Sequence, residues 1–195
     1  MHMSRRQALR AGLSTAAGVA GATALAGRGW AAQYSLDGAN AALGSGARFA
    51  HVHNLHTGES LRATYYENGR YVPDALSELM KVLRDWRSGE EHLMDPRLFD
   101  VMHAVRGKLE VSAPFQIISG YRSPTTNAMM HEHSHGVAQN SQHVQGKASD
   151  VRLEGVSLHN LRAAALDLKA GGVGYYPVSN FVHMDVGPVR QWIGV

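Results

Sequence analysis

Hydrophobic and polar residues alternate along the first well-patterned part of the chain. Residues 49–66, FAHVHNLHTGESLRATYY, contain two strand-like runs separated by HTGES, which predicts a β-hairpin around Gly58. The next segment, PDALSELMKVLRDWRSG, changes to a helical period. It begins at Pro73 and has Gly89 beyond its end, as an amphipathic helix should. The apolar stripe of this predicted helix consists of Leu76, Leu79, Met80, Leu83 and Trp86.

The rest of the chain mixes helical and strand patterns. DPRLFDVMHAVRGKL repeats the helical scheme more weakly, and FQIISG is a short apolar run typical of a buried strand. Further on, ASDVRL, VGYYP and FVHMDVG have strand patterns, and SLHNLRAAALDLKAGG has a helical one. The strands and helices do not follow a βαβ alternation. The pattern therefore predicts an α+β fold with a mainly antiparallel sheet.

The N-terminal segment has the composition of an export signal. Residues 1–32 begin with the basic run MHMSRRQALR and continue with small apolar residues. Arg5 and Arg6 resemble the pair of a twin-arginine signal. The apolar stretch is only about as long as the shortest membrane-spanning helices and is weakly hydrophobic, so we expect cleavage rather than stable membrane insertion. Residues 33–48 read as a linker or loose arm, which leaves 49–195 as one domain exported to the periplasm or the cell envelope.

Charge and cysteine content limit the possible partners and the possible metal ligands. Residues 1–32 carry four arginines and no acidic residue, which leaves 15 basic and 16 acidic residues in the rest of the chain. A nearly neutral domain lacks the basic surface that nucleic-acid binding requires, so we expect no nucleic-acid partner. The chain has no cysteine, and a metal ion would have to be held by His, Asp or Glu.

A candidate metal site lies in SQHVQGKASD, residues 141–150. His143 and Asp150 are seven positions apart, too far for one helical face, but a loop that turns at Gly146 and enters a strand can aim both at one point. A catalytic zinc is typically held by three protein ligands and keeps one position open for water. His183, on the predicted strand FVHMDVG, is well placed as the third ligand.

These residues carry a family resemblance. Ser141, His143, Gly146, Ala148 and Asp150 match S-x-H-x-x-G-x-A-x-D, and a strand histidine follows. This pattern resembles the zinc-dependent peptidoglycan peptidases of the M15 group. SGYRSPTTNAMM, NSQHVQGKASD and GGVGYYPVSNFVHMDVG together are similar to the murein endopeptidase branch of that group. The resemblance covers nearly all of residues 48–195.

The resemblance implies a fold, a cofactor and a substrate. The fold would be that of the D-Ala-D-Ala peptidases, an antiparallel sheet flanked by helices. One Zn²⁺ per chain would be held by His143, Asp150 and His183, with water in the fourth position. The substrate would be peptidoglycan, cleaved at an amide bond of its peptide stems or cross-links.

Three further residues have expected roles near the metal or in the substrate groove. Arg122, in SGYRS, matches the family's arginine near the metal, where it would hold a carbonyl oxygen or a substrate carboxylate. A loop-tethering arginine is the alternative. Ser141 lacks a paired base, so it would orient its loop or contact the substrate rather than act as a nucleophile. Tyr176, next to the strand of the third ligand, would line the substrate groove.

The chain departs from the family pattern at the general base. Many relatives have Glu or Asp three residues before the third ligand, and this chain has Asn180 there, which cannot accept a proton. Asp185 shares a strand face with His183 and is the nearest substitute. It would serve either as the catalytic base or as a hydrogen-bond partner of the ligand ring, and the sequence does not choose between these roles.

Other histidines and other functions are weighed against this hypothesis. His131, His133 and His135 are expected in a solvated polar loop, and His51, His53 and His56 on the polar face of the hairpin. A D-alanyl-D-alanine carboxypeptidase is an alternative activity. A non-catalytic zinc-containing module that binds peptidoglycan is a second alternative, which Asn180 makes worth testing.

Overall fold

The computed structural model of the protein describes residue 43, residues 46–133 and residues 136–194. The predicted signal segment and most of the predicted linker lie outside the described residues. No helix within the described ranges is both long enough and apolar enough to cross a membrane.

The described residues include eight strands and four helices. The strands are β1 Arg48–Asn54, β2 Ser60–Glu67, β3 Arg70–Tyr71, β4 Phe115–Ser119, β5 Ala148–Leu153, β6 Gly172–Tyr176, β7 Phe181–Asp185 and β8 Arg190–Ile193. The helices are α1 Pro73–Val82, α2 Pro96–Lys108, α3 Pro124–His133 and α4 Leu158–Asp167. Strand β1 begins at Arg48, the last residue of the predicted linker.

The strands form one sheet in the order β3-β2-β1-β4-β5-β7-β6-β8. Neighbouring strands are antiparallel except for two pairs, β1 with β4 and β6 with β8. The prediction of an α+β fold with a mainly antiparallel sheet is therefore confirmed. Strands β3 and β8 are short additions at the two edges that the hydrophobic pattern did not predict.

Three of the four helices cover one face of the sheet. Helix α1 packs on β1 and β2, α2 packs on β1, and α4 packs on β5, β6 and β7. Alternate residues of the central strands enter this core, among them Val52, Ile117, Val151 and Val182, all fully buried. Because strand side chains alternate between faces, the residues between these core positions point to the other side of the sheet. That opposite face carries the candidate site.

The first helix ends earlier than the hydrophobic stripe predicts. Helix α1 stops at Val82, and Leu83 takes a non-helical backbone conformation after it. The prediction that Trp86 belongs to the helical stripe is therefore wrong. The cause is tertiary: the buried Asp85 carboxylate accepts hydrogen bonds from the backbone N–H groups of Arg87 and Ser123. These bonds hold residues 85–87 as a turn against the loop after β4.

A buried ion pair joins the sheet to α2. Arg48 on β1 donates to Asp100 Oδ1 at 2.9 Å, and both side chains are 2% exposed. The hydroxyl groups of Tyr65 and Tyr71 donate to the same carboxylate at 2.9 and 2.6 Å. Burial of a charge is costly unless it is paired and hydrogen-bonded, and this carboxylate is both.

We expect Asp100→Ala to destabilise the domain by about 3–5 kcal/mol, because it leaves the buried Arg48 guanidinium without its carboxylate. Chemical denaturation followed by circular dichroism measures the change. Lys81→Ala is the control, because the Lys81–Glu78 pair is exposed and its loss should leave the unfolding midpoint nearly unchanged. An Asp100→Ala protein as stable as the wild type would contradict this role.

Candidate metal centre

The three predicted metal ligands come together on the open face of the sheet. One ligand atom from each of His143, Asp150 and His183 lies within 4.8 Å of the other two, and all three residues are buried. Asp150 on β5 and His183 on β7 are direct antiparallel partners in the sheet register. Such partners place their side chains side by side on one face. The sheet itself thus brings together residues 33 positions apart in the chain.

A tight loop before β5 delivers the third side chain. Gly146 has φ +66°, and a Cβ atom there would lie 2.3 Å from the carbonyl oxygen of Leu93. Only glycine fits this close left-handed turn, as the sequence predicted. The Gly146 carbonyl accepts a hydrogen bond from the backbone N–H of Asp95 at 2.8 Å. His143 is held on the other side, where its carbonyl accepts from the backbone N–H of Arg122 at 3.3 Å.

Outer hydrogen bonds select the tautomer that each ring has when it is neutral. His143 Nδ1 lies 2.7 Å from the carbonyl oxygen of Gly120, which can only accept, so Nδ1 carries the proton. His183 Nε2 lies 3.0 Å from Asp185 Oδ2 and likewise donates. In the neutral rings, these bonds leave the lone pairs of His143 Nε2 and His183 Nδ1 directed toward Asp150. This is the arrangement by which outer partners orient metal-binding histidines.

The converging atoms have the spacing of metal ligands. His143 Nε2 lies 3.2 Å from both Asp150 Oδ1 and His183 Nδ1, and the last two atoms are 2.9 Å apart. Tetrahedral coordination with bonds of about 2.0–2.1 Å would place ligand atoms about 3.3 Å apart. Three lone-pair atoms this close favour a cation among them. The donor set therefore fits a metal ion.

The electrostatics of the site also favour positive charge. Burial would lower the pKa of His183, but hydrogen bonds to Asp150 and Asp185 raise it to about 9. Burial would raise the pKa of Asp150, but the charges and hydrogen bonds of His143 and His183 hold it far below its usual range. Asp150 is thus a carboxylate at neutral pH. Either a proton on His183 or a bound metal cation would balance the negative charges of Asp150 and Asp185.

Asp185 lies behind His183 and is saturated with hydrogen bonds. Its Oδ2 accepts from His183 Nε2 and from Arg190 at 2.7 Å. Its Oδ1 accepts from the backbone N–H groups of Gly172 and Gly187 at 3.0 and 2.8 Å. The side chain has no exposed surface. Burial would raise the pKa of Asp185, yet these bonds and the neighbouring cations hold it well below its usual range.

A cavity of about 960 Å³ opens over the cluster. Arg122, Ser141 and Tyr176 line it together with the three candidate ligands, so the structure brings these predicted residues to one place. Arg122 is 7% exposed, and its Nη2 lies 3.8 Å from Asp150 Oδ2. Ser141 Oγ accepts from the backbone N–H of His143 at 3.3 Å. The Tyr176 hydroxyl accepts from Trp192 Nε1 at 2.9 Å, which leaves its own proton free to donate.

Trp192 on β8 closes the site on one side. The centroids of its ring and the His183 ring are 5.1 Å apart. A Cβ atom on Gly174 would lie 2.6–2.8 Å from the indole, so a glycine at this position of β6 is what lets Trp192 lie against the sheet. The edge strand that sequence patterning missed thus carries a side chain that packs on a candidate ligand.

Asn180, at the position where many relatives have a carboxylate, does not line the cavity. Asn180 lies in the exposed turn between β6 and β7 and has φ +57°. Asparagine tolerates this left-handed conformation better than most residues. Apart from Asp150, no carboxylate lines the described part of the cavity.

Sequence reasoning missed one wall of the cavity. His56 and Arg87 line it, and the His56 ring stacks on Trp86 with a centroid distance of 4.0 Å. The parallel pairing of β1 with β4 brings the hairpin turn beside the end of β4, where His56 Nε2 donates to the Ile118 carbonyl at 3.1 Å. No local motif signals such long-range pairing.

The remaining histidines are apart from the cluster. His51 and His53 lie at half-buried positions of β1 that alternate with core residues, as predicted for a polar strand face. His131 and His133 are exposed on the last turn of α3, so the prediction of a loop is wrong for these two. His135 lies outside the described residues.

Comparison with known proteins agrees with the fold. A family model described as "Peptidoglycan L,D-endopeptidase MepK" matches residues 42–192. An α+β fold with a His-Asp-His cluster on its sheet, in a chain that matches this model, defines a peptidase of the M15 group.

Curated relatives give the same result. The chain is 46% identical to the peptidoglycan L,D-endopeptidase MepK of Escherichia coli (strain K12) over 145 residues, which are 74% of this chain and 80% of that protein. It is 45% identical to the probable peptidoglycan L,D-endopeptidase MepK of Haemophilus influenzae over 143 residues, 73% of this chain and 77% of the relative. The chain belongs to the M15 peptidase family that this model describes.

We expect His143→Ala and His183→Ala each to reduce bound metal from about one ion per chain to near zero, because three protein ligands are the usual minimum for a tight site of this type. Metal analysis of the purified, folded proteins measures this. His53→Ala is the control, because His53 bonds to Ser60 on the hairpin, away from the cluster. Full metal content in both ligand variants would place the metal elsewhere.

Proposed function

We propose that this protein is a zinc metallopeptidase that hydrolyses amide bonds in the peptide cross-links of bacterial peptidoglycan. Family membership supports the peptidase activity, and the names of the relatives supply the substrate. The observation that carries the proposal is the convergence of three lone-pair atoms at 2.9–3.2 Å under an open cavity.

We propose zinc as the metal and His143, Asp150 and His183 as its ligands. Two imidazoles and a carboxylate are a donor set that zinc accepts, and three protein ligands leave one position for water or substrate. When bound, zinc would lower the pKa of a coordinated water and polarise the scissile carbonyl. The Gly120 carbonyl and Asp185 would hold the two rings in the required orientation.

Arg122 is proposed to bind the oxygen that gains negative charge during hydrolysis. Burial lowers its pKa, and the charge of Asp150 opposes that effect, so the guanidinium faces the site as a cation. Its position is set by Asn127 and Ser119, which accept hydrogen bonds from its Nη atoms at 3.3 and 3.5 Å. A cation fixed beside the scissile bond stabilises developing charge at little reorganisation cost.

Ser141 and Tyr176 are proposed as substrate contacts. The Tyr176 hydroxyl is positioned by Trp192, so its proton is available to a carbonyl oxygen of the bound peptide. Ser141 orients the loop of His143 through its Oγ and borders the cavity. Neither side chain has a base beside it of the kind that a nucleophile requires.

Asp185 is proposed to position His183 rather than to move a proton at the substrate. Both of its oxygens are occupied by donors on the side of His183 away from Asp150. A general base has to reach the proton that it abstracts, either directly or through one water. The geometry therefore favours the second of the two roles that the sequence left open for this residue.

The names of the relatives favour an endopeptidase over a D-alanyl-D-alanine carboxypeptidase. The same names, which are those of peptidases, favour catalysis over a non-catalytic binding module. A peptidoglycan substrate locates the activity in the cell envelope. We further propose that residues 1–32 are the signal for export, by the twin-arginine route.

Purified sacculi test the activity directly. We expect the zinc-loaded protein to release cross-link cleavage products, identified by chromatography and mass spectrometry, and His143→Ala to release none. Loss of terminal D-alanine alone would support a carboxypeptidase. A wild-type protein that binds sacculi and zinc without releasing any product would support the non-catalytic module.

We expect Asp185→Asn to bind zinc about 10- to 100-fold more weakly, because the ring of His183 loses its negatively charged partner. Activity should recover in large part when zinc is added. A turnover assay across a zinc titration measures both effects. If the lost turnover does not respond to zinc while the metal stays bound, Asp185 takes part in proton transfer, and the positioning role is wrong.

A further inference from the structure

The cavity wall that sequence reasoning missed consists of His56 and Arg87, and both side chains pack on Trp86. The rings of His56 and Trp86 are nearly parallel, with an interplanar angle of 14°. The guanidinium carbon of Arg87 lies 4.0 Å from the centroid of the Trp86 ring. A guanidinium packed on an aromatic face keeps its N–H edge free for other partners.

The backbone under Arg87 is held in place. Asp85 is 2% exposed, and its carboxylate accepts from the Arg87 N–H at 3.0 Å and the Ser123 N–H at 2.9 Å. Burial would raise the pKa of Asp85, but hydrogen bonds from Thr126, Ser123 and Arg87 lower it to about 2. Asp85 is therefore ionised at neutral pH. It ties the turn of Arg87 to the loop that carries Arg122.

The cavity has an excess of positive charge. Its arginines are Arg87, Arg122 and Arg190, and Arg190 is paired with Asp185 at 2.7 Å. Within the described ranges, no carboxylate lies at ion-pair distance from the Arg87 guanidinium. After burial, which lowers the pKa of Arg122 most, the positive charge of Arg87 lowers it further. Two like charges that border one cavity favour an anion between or beside them.

We propose that Arg87 is a specificity-determining residue that binds a free carboxylate of the peptidoglycan peptide while the scissile amide lies at the His-Asp-His cluster. This inference rests on the proposed function and adds a second point of substrate recognition. The planar guanidinium can donate two parallel hydrogen bonds to a carboxylate, and a carboxamide cannot accept both. Arg87 would then distinguish stems with a free carboxylate from stems in which it is amidated.

Steady-state kinetics on two substrates test this role. The probes are a cross-linked peptide dimer from purified peptidoglycan and the same dimer with its free carboxylates converted to carboxamides. We expect Arg87→Ala to raise KM for the carboxylate dimer about tenfold, the low end for a hydrogen bond to a charged group, with kcat little changed. KM for the amidated dimer should not respond to the substitution.

Matched variants make the result specific. Arg84→Ala removes a nearby arginine that pairs with Glu59 and does not line the cavity, so its KM should equal that of the wild type. Arg87→Lys keeps the charge without the planar fork and should give an intermediate KM. Equal discrimination between the two dimers by the wild type and by Arg87→Ala would overturn the proposal.

A binding measurement separates this inference from the proposed activity. An uncross-linked stem tetrapeptide and its amide are titrated into the zinc-loaded wild type and Arg87→Ala by calorimetry, because this probe has no cross-link to cleave. We expect only the wild type to prefer the carboxylate form. The same preference in both proteins would reject the role of Arg87, whether or not sacculi are digested.

Discussion

The site depends on the antiparallel register of β5 and β7. This register makes Asp150 and His183 direct cross-strand partners, with their ligand atoms 2.9 Å apart. A slip of one residue would turn one of the two side chains into the helical core, because neighbours on a strand point to opposite faces. Val151 and Val182, the next pair in the register, are fully buried on that other face. The hydrophobic core and the His-Asp-His cluster therefore require the same alignment.

The groups behind the cluster orient side chains that the register and the Gly146 loop have placed. The Gly120 carbonyl and Asp185 each hold one ring from outside, and Arg190 anchors Asp185 in turn. Trp192 packs on His183 because the residue of β6 that faces the indole is a glycine. A ligand ring held on both its edge and its face loses little freedom when it binds an ion. This preparation is what a tight and well-defined metal site requires.

The sequence predicted the ligands and most of the strands because both leave local signals. His143, Gly146 and Asp150 lie within eight residues, and the strands around them alternate or run apolar for their full length. The cavity wall of His56 and Arg87, which pack on Trp86, leaves no such signal. Trp86 continues the helical stripe of α1 in the sequence, yet the chain turns because Asp85 bonds to a backbone N–H 38 positions away. The local hydrophobic period favours a longer helix, but the long-range hydrogen bond of Asp85 determines the observed turn.

The positions of the carboxylates explain why the cavity surface has an excess of positive charge. Asp150 belongs to the ligand cluster, Asp185 is fully occupied behind it, and Asp85 is buried under the turn of Arg87. Each negative charge is thus used to hold the protein's own groups. Asn180 adds none, because asparagine is uncharged. The described cavity surface consequently presents arginines to a substrate. Such a surface suits a peptide rich in free carboxylates. Because no carboxylate outside the cluster lines the described cavity, proton transfer during hydrolysis would need another kind of group.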